Sequence, residues 1–199
     1  ADMRRMQAAL TSQQTLDRAR ALLENGRGAA LPELLKLIET LSVDATKVTI
    51  GELAELIEKD GFVLTRMLAV ANKLAHNPGI APIASVSQAI HQLGFSRVRT
   101  VTVSLMLLDS AGATNPPEQR EAAALALTSG LLAQGLAEDM GTHDPEFVFT
   151  CAALRHLGRI LMAAVSPEHF REAVDLARRE PAADGYRRRF GLTTLELAR

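Results

Sequence analysis

Helix-start chemistry recurs along this chain so densely that little room is left for any other kind of element. Thr49-x-x-Glu52, Ser85-x-x-Gln88 and Thr193-x-x-Glu196 each place a hydroxyl three residues before a carboxyl or amide group. At that spacing the hydroxyl accepts from the backbone N–H of the third residue, and the longer side chain reaches back to the cap. Two donors that a helix start would otherwise orphan are then satisfied. Asn115-Pro116, Asp144-Pro145 and Ser166-Pro167 repeat a second device, a capping side chain followed by proline in the first turn. Between these signals apolar residues recur three and four apart, and no convincing strand alternation competes with them. The expected fold class is all-α, a multi-helix globule.

The spacing predicts a helix from Leu31-Pro32 to Leu41, with Leu34, Leu35, Leu37, Ile38 and Leu41 on one face. Further helices are expected over residues 50–59 and 62–75, separated by Asp60-Gly61, with a loop at Asn77-Pro78-Gly79 and Pro82. A short helix opens at Ser85 and ends at Gly94, expected in the left-handed cap conformation. Ser96 is expected to cap a helix running to Asp109, although Val98 to Val103 is strand-like and a strand is the competing reading. Helices then start at Asn115-Pro116, ending at Gly141, at Asp144-Pro145, reaching Val165, and at Ser166-Pro167, stopping before Pro181. The alanine-rich stretch 122–137 is apolar around most of its circumference, which predicts a central, buried helix.

Residues 1–30 are polar with a thin apolar stripe (Met3, Met6, Leu10) and a break at Asn25-Gly26 and Gly28, so a linker helix is expected there. The domain proper occupies 31–199. Its last capping box leaves only a short helix before Arg199, so the domain is expected to be truncated inside an element.

Composition excludes several functions. Among 199 residues, 47% are hydrophobic and 23% charged, as in globular domains, and the net charge of -1 gives no general attraction to nucleic acid. Aromatics total 4% with no Trp, which leaves few stacking platforms for single strands. Cys151, the single cysteine, excludes an internal disulfide and a Cys-rich zinc site. It lies in an apolar stretch and is expected to be a buried, inert thiol. No apolar run is expected to reach the ~18 residues of a membrane span, and a cytoplasmic setting is the default. Phosphate-binding glycine loops, G-x-S-x-G and H-E-x-x-H are absent.

Residues 51–101 read GELAELIEKDGFVLTRMLAVANKLAHNPGIAPIASVSQAIHQLGFSRVRTV. They hold an acidic helix end at Asp60, a leucine-rich helix closing on Ala71-Asn72, an I-x-S-V-x-x-A-I-x-x-LG segment from Ile83 to Gly94, and Arg99. In order and spacing this resembles the HDOD family, the HD-related output domain of bacterial signalling proteins. The segment DPEFVFTCAALRHLGRILM, residues 144–162, resembles the HD superfamily's metal-binding helix, and Phe190-Gly191 resembles a later segment of it. The resemblance runs from about residue 31 to the end.

HD-superfamily phosphohydrolases hold divalent metal with dispersed His and Asp side chains, including an adjacent His-Asp pair whose carboxylate is a hard ligand. Here the matching position reads Arg155-His156-Leu157-Gly158-Arg159, with leucine in place of the carboxylate. The region 122–125 that would carry an earlier His has none, and Thr193-Thr194 stands where a later His is usual. The resemblance therefore implies a degenerate site with no metal, no cofactor and no catalytic residue. His156 is expected to be a hydrogen-bonded core imidazole, with a relic small-molecule pocket as the alternative. The literal His143-Asp144 dipeptide is a decoy, since Asp144 is better explained as the N-cap before Pro145.

Asp60, Asn72, Gly94, Arg99 and Gly158 are read as fold-setting, with a partner-contact role as the alternative for Asp60 and Asn72. His76, His91 and His169 are expected at the surface or at caps. Arg97 and Arg99 could form a small basic spot with Arg66, where ordinary salt bridging is expected and phosphate binding is the alternative. Arg178-Arg179 with Arg187-Arg188-Arg189 is expected to be a solvated face offset by Glu172, Asp175, Glu180 and Asp184, with nucleic-acid binding as the alternative. The resemblance implies a non-catalytic signal-transduction module that contacts other signalling proteins or domains, including cyclic-di-GMP-related ones, with no nucleic-acid or membrane partner. A nucleotide-sensing domain built on the degenerate pocket and a divergent metal-dependent phosphohydrolase are the alternatives. Oligomeric state is not set by the sequence.

Overall fold

The computed structural model describes residues 8–24, 49–74, 81–179 and 181–198. The expected helix over 31–41, the loop at 77–79, His76, Glu180 and Arg199 lie outside the described residues. What is described is helical, with no strand among the described residues.

Two of the capping boxes form as written. Thr49 Oγ1 accepts from Glu52 N at 3.2 Å while Glu52 Oε2 accepts from Thr49 N at 2.8 Å, opening α2, Ile50–Lys59. The same pair of bonds between Thr193 and Glu196 opens α11, Thr194–Leu197. At Ser85 only half the box forms. Its hydroxyl caps Gln88 N, but the Gln88 amide oxygen accepts from Ala84 N, one residue before the cap. Helix α4, Val86–Leu93, starts there all the same.

Asp60 ends α2 and starts α3, Gly61–Leu74, its carboxylate accepting from Phe62 N (2.9 Å) and Val63 N (3.1 Å). Asn72, near the other end of α3, grips the extended segment before α4. Its Nδ2 donates to Leu68 O and Ile83 O, and its Oδ1 accepts from Ile83 N at 2.7 Å. A backbone segment that no sheet could satisfy is thus satisfied by one side chain.

Gly94 joins α4 to α5, Phe95–Ser110, at φ 89° and ψ 154°. The positive φ calls for glycine, but the ψ is extended, so the expected left-handed cap is corrected. Ser96 does not cap α5 either. It lies inside the first turn, with its Oγ 3.4 Å from Asp144 Oδ2. The strand-like run is helical because its hydroxyls bond back within the helix, Thr102 to Val98 O and Ser104 to Thr100 O, while Val98, Val103, Met106 and Leu107 enter the core.

Of the three cap-plus-proline signals, only Asp144 acts as expected, accepting from Phe147 N at 2.8 Å to open α7, Pro145–Leu154. Asn115 instead folds back, donating to Asp109 O and Ser110 O at the end of α5, and α6 runs Pro117–Asp139. Ser166 precedes α9, Pro167–Ala177, without a side-chain cap bond, because its hydroxyl pairs with His169.

The single helix expected from 145 to 165 is two. It breaks at Arg155-His156, and α8 covers Leu157–Val165. By length and composition, Pro145–Val165 (21 residues) is long and apolar enough to cross a membrane, which corrects the expectation that no apolar run reaches the length of a span. Here Phe149, Ala153, Ile160 and Met162 from this segment are core residues.

Helix α10, Ala182–Phe190, ends at Gly191 (φ 71°). A Cβ on Gly191 would stand 2.4 Å from Ser12 N, because α1, Ser12–Glu24, docks there. Leu10 N donates to Arg189 O, Ser12 Oγ to Gly191 O and Thr15 Oγ1 to Phe190 O. The described part of the expected linker therefore lies against α8 and α10. Helices α2 to α5 form one cluster and α6 to α11 with α1 the other, joined where α5 packs on α6 and α7.

The largest correction concerns α6. Ala122, Ala123, Ala126 and Gly130 face the core, and a Cβ on Gly130 would sit 2.7 Å from Phe149 Cε2. The opposite side of the helix faces solvent, with Leu125, Leu131, Leu132, Leu136 and Met140 exposed. Small residues are what let α7 approach; of the leucines only Leu127 packs partly against the core, and Leu125, Leu131, Leu132 and Leu136 are left outside.

Candidate functional site

The position that would carry metal chemistry lies at the α7–α8 break. His156 is half-buried there, and no hydrogen bond from its ring is seen among the described residues, so the expected hydrogen-bonded core imidazole is corrected. Burial, then the Arg159 and Arg155 guanidiniums, hold its pKa below the ordinary imidazole value. Arg159 lies over the Phe170 ring (5.5 Å) and the Tyr186 ring (5.6 Å) and donates to the Tyr186 hydroxyl. Burial pushes that phenol pKa up, with Arg159 opposing.

Leu157, in the carboxylate's place, is buried in the core. Gly158 lies against α11 so closely that an added Cβ would stand 1.8 Å from Thr194 O. Only a residue without a side chain fits between α8 and that backbone. At the two remaining ligand positions, Ala122 and Ala123 are buried and carry no donor, while Thr193 is spent on capping α11.

These residues do not fit a hydrolytic metal. One imidazole flanked by two guanidiniums repels a divalent cation, and alkyl groups occupy the positions that anionic ligands would need. Among the described residues, no group of three His, Cys, Asp or Glu side chains converges.

His143 is exposed, and Asp144 serves α5 and α7 together. Besides capping α7, its Oδ2 lies 3.8 Å from Nη2 of Arg99. Arg99 is 3% exposed and stacked between Phe95 (6.0 Å) and Phe147 (5.5 Å), with Nε and Nη2 finding no hydrogen-bond acceptor among the described residues. Gly94, Arg99 and Asp144 thus meet at the seam between the two helix clusters, while His156, Leu157 and Gly158 meet at α11. Asp60 and Asn72 stand at opposite ends of α3.

Arg97 pairs with Glu146 at 4.0 Å, and Arg66 lies over Phe62. In the C-terminal basic stretch Arg178 pairs with Asp175, Arg187 with Glu196 and Arg189 with Glu172. These arginines are spent on carboxylates, as expected of a salt-bridged face.

Two expectations about reactive groups are corrected. Cys151 is exposed, because it lies on the solvent side of α7 opposite Phe149 and Ala153. Desolvation and Asp144 raise its thiol pKa, against an opposing effect of Arg99. His169 is buried rather than superficial. Its ring nitrogens meet Ser166 Oγ at 2.7 Å and Ala8 O at 2.9 Å, which fastens the segment before α1 to α9. The Ser166–His169 spacing of three was a usable signal for the first bond, and nothing local announces the second. His91 is exposed, as expected.

The HDOD domain family matches residues 29–198 of this chain. An HDOD domain protein of unknown function from Geobacter sulfurreducens is similar in structure, with 20% identity and a TM-score of 0.53 over 94% of this chain and 63% of that one. The MmoQ response regulator of Methylococcus capsulatus aligns over 84% of this chain and 66% of its own, at 25% identity and a TM-score of 0.37. The chain therefore spans less than two thirds of either protein. No curated protein matches it.

Proposed function

We propose that this chain, which belongs to the HDOD family, is a non-catalytic signal-transduction module working through protein contacts in the bacterial cytoplasm. Leu157 carries the reading. The residue that should supply a hard anionic ligand is instead a core side chain, and its neighbour Gly158 is pressed onto the Thr194 backbone. Ligand loss is spread over several positions, so no single compensating side chain rebuilds a hydrolytic site. What the domain offers other molecules is surface, and its partners are other signalling proteins or domains, cyclic-di-GMP-related ones among them.

The test combines elemental analysis with hydrolysis assays. The purified chain is incubated with Mn²⁺ and desalted, then assayed on bis(p-nitrophenyl) phosphate and cyclic di-GMP. The expected result is no stoichiometric metal and no turnover above buffer; bound metal with turnover overturns the reading. Thermal-shift titration with cyclic dinucleotides checks the nucleotide-sensing alternative, and no shift is expected.

A further inference from the structure

Residues 8–24 lie ahead of residue 29, where the family match begins, and yet they are bonded to the domain. The attachment is at the C-terminal end of α10. The last carbonyls of a helix have no donor within it, and here α1 and its leader supply the donors. Leu10 N donates to Arg189 O at 2.9 Å, Thr15 Oγ1 to Phe190 O at 2.8 Å and Ser12 Oγ to Gly191 O at 2.8 Å. His169 holds the start of the leader. The Ala8 carbonyl can only accept, so Nε2 of His169 carries the proton and donates to it across 2.9 Å.

The apolar anchor of α1 is small by comparison. Among its described side chains Thr15 and Ala19 are buried, and Leu16 is half-buried against the core. The remaining face is polar, and a helix of 13 residues is marginal alone. Hydrogen bonds to the α10 carbonyls therefore hold much of this contact. An element held in that way opens locally before the domain unfolds.

Its point of attachment leads straight to the α8–α11 junction. Gly191, at φ 71°, lies so near α1 that a Cβ there would collide with Ser12 N. Leu192 is buried, Thr193 caps α11, and Thr194 O is the atom that a Cβ on Gly158 would strike. The corner between these residues is braced by one carboxylate. Arg187 Nη2 donates to Glu196 Oε1 at 2.8 Å, and Thr193 N donates to Glu196 Oε2 at 2.7 Å, which ties α10, the turn and α11 together. A displacement of Gly191 is thus carried to Thr194.

We propose that α1 is a releasable strap that controls the α8–α11 junction. Docked, it fixes Gly191 and keeps the Thr194 backbone on Gly158. Undocked, it frees the turn after α10, and α11 lifts from α8. The input is a pull or a competing contact on residues 8–24, and the output is a changed surface at α8 and α11. This goes beyond the module reading and does not depend on it, since the strap works alike whether or not the domain turns over a substrate.

Hydrogen–deuterium exchange of the full chain, read by mass spectrometry, tests the coupling. Ser12→Ala combined with Thr15→Val removes both hydroxyl donors and keeps the volume of the buried side chain. Exchange should rise about tenfold in peptides from α1 and in peptides covering 192–198, while α3 and α5 keep their protection. Variants at the other end should act in reverse, because coupling between two sites is reciprocal. Gly158→Ala should speed exchange in α1 severalfold, and Glu196→Ala, which loosens the corner without a clash, should do so to a smaller extent. Release of α1 with no change at 192–198 overturns the proposal, since strap and junction would then be independent. An equal rise in every helix also overturns it, by making α1 part of the global fold. So does an α1 whose protection survives the double variant, or one indifferent to both junction variants.

Discussion

The α8–α11 junction and the outer face of α6 exchange the roles that their sequences suggest. At the junction, His156 and Gly158 stand where a metal pocket would lie, yet Leu157 fills the core and the Thr194 backbone leaves no space above Gly158. On α6, a stretch apolar around most of its circumference would be expected to vanish inside, yet only its small residues do. In the first region the residues that stand at the ligand positions are side chains that pack. The second keeps large apolar groups largely in water. The comparison teaches that small residues decide where helices close on one another, whatever the apolar content of the stretch around them.

The sharpest attempt to break this contrast is Leu157→Asp, which restores a His-Asp dipeptide. A carboxylate placed in the core without donors should cost at least about 3 kcal/mol, read from urea midpoints. No Mn²⁺ should be retained. A stable, metal-binding variant would mean that the pocket is open after all. Next is Gly158→Ala, where the new Cβ drives α11 off α8 for a loss of about 2–3 kcal/mol. An unchanged melting temperature would contradict the packing. Gly135→Ala should do the reverse and stabilise the domain by up to about 1 kcal/mol, since it removes glycine's helix penalty in open space. Destabilisation would reveal a neighbour on that face.

The smallest effect is in pH dependence. The pKa of His156 is held down in the fold by burial and by Arg159 and Arg155. The unfolded chain, near the ordinary value of 6.5, therefore binds more protons once the pH falls below that value. The associated stability is fully present above 6.5 and is lost as the pH drops toward the depressed folded value. His156→Gln should therefore narrow the gap between urea midpoints at about pH 7.5 and about pH 5.5. An undiminished gap would place the pH response elsewhere.

Helix starts were the most legible part of the fold. Thr49–Glu52, Thr193–Glu196 and the Asp144 cap form because donor and acceptor lie within one turn, so local spacing suffices. Asn115, Ser96 and Ser166 carried the same kind of signal and were drawn elsewhere, to the end of α5, to Asp144 and to His169. A hydroxyl or amide takes the nearest acceptor in space, and chain spacing does not say which one that is. The α7–α8 break was hidden for a related reason. Apolar periodicity continues through Arg155-His156, and the turn serves to seat Gly158 on an element more than thirty residues away. His169 and Arg99 were misjudged or underread because their partners, Ala8 and the Phe95–Phe147 pair, are supplied by other helices.

The sequence by itself determined that the chain is helical and where most of the described helices begin, and it put a leucine at position 157. Capping is satisfied within a turn, and no packing can put a carboxylate where Leu157 stands. Only the tertiary structure decided that Gly158 is pressed onto the Thr194 backbone and that α6 turns most of its leucines outward. Both depend on which backbones approach within contact distance. An alanine-glycine face permits that approach and a leucine face does not, so the small side of α6 is buried and the large side faces outward.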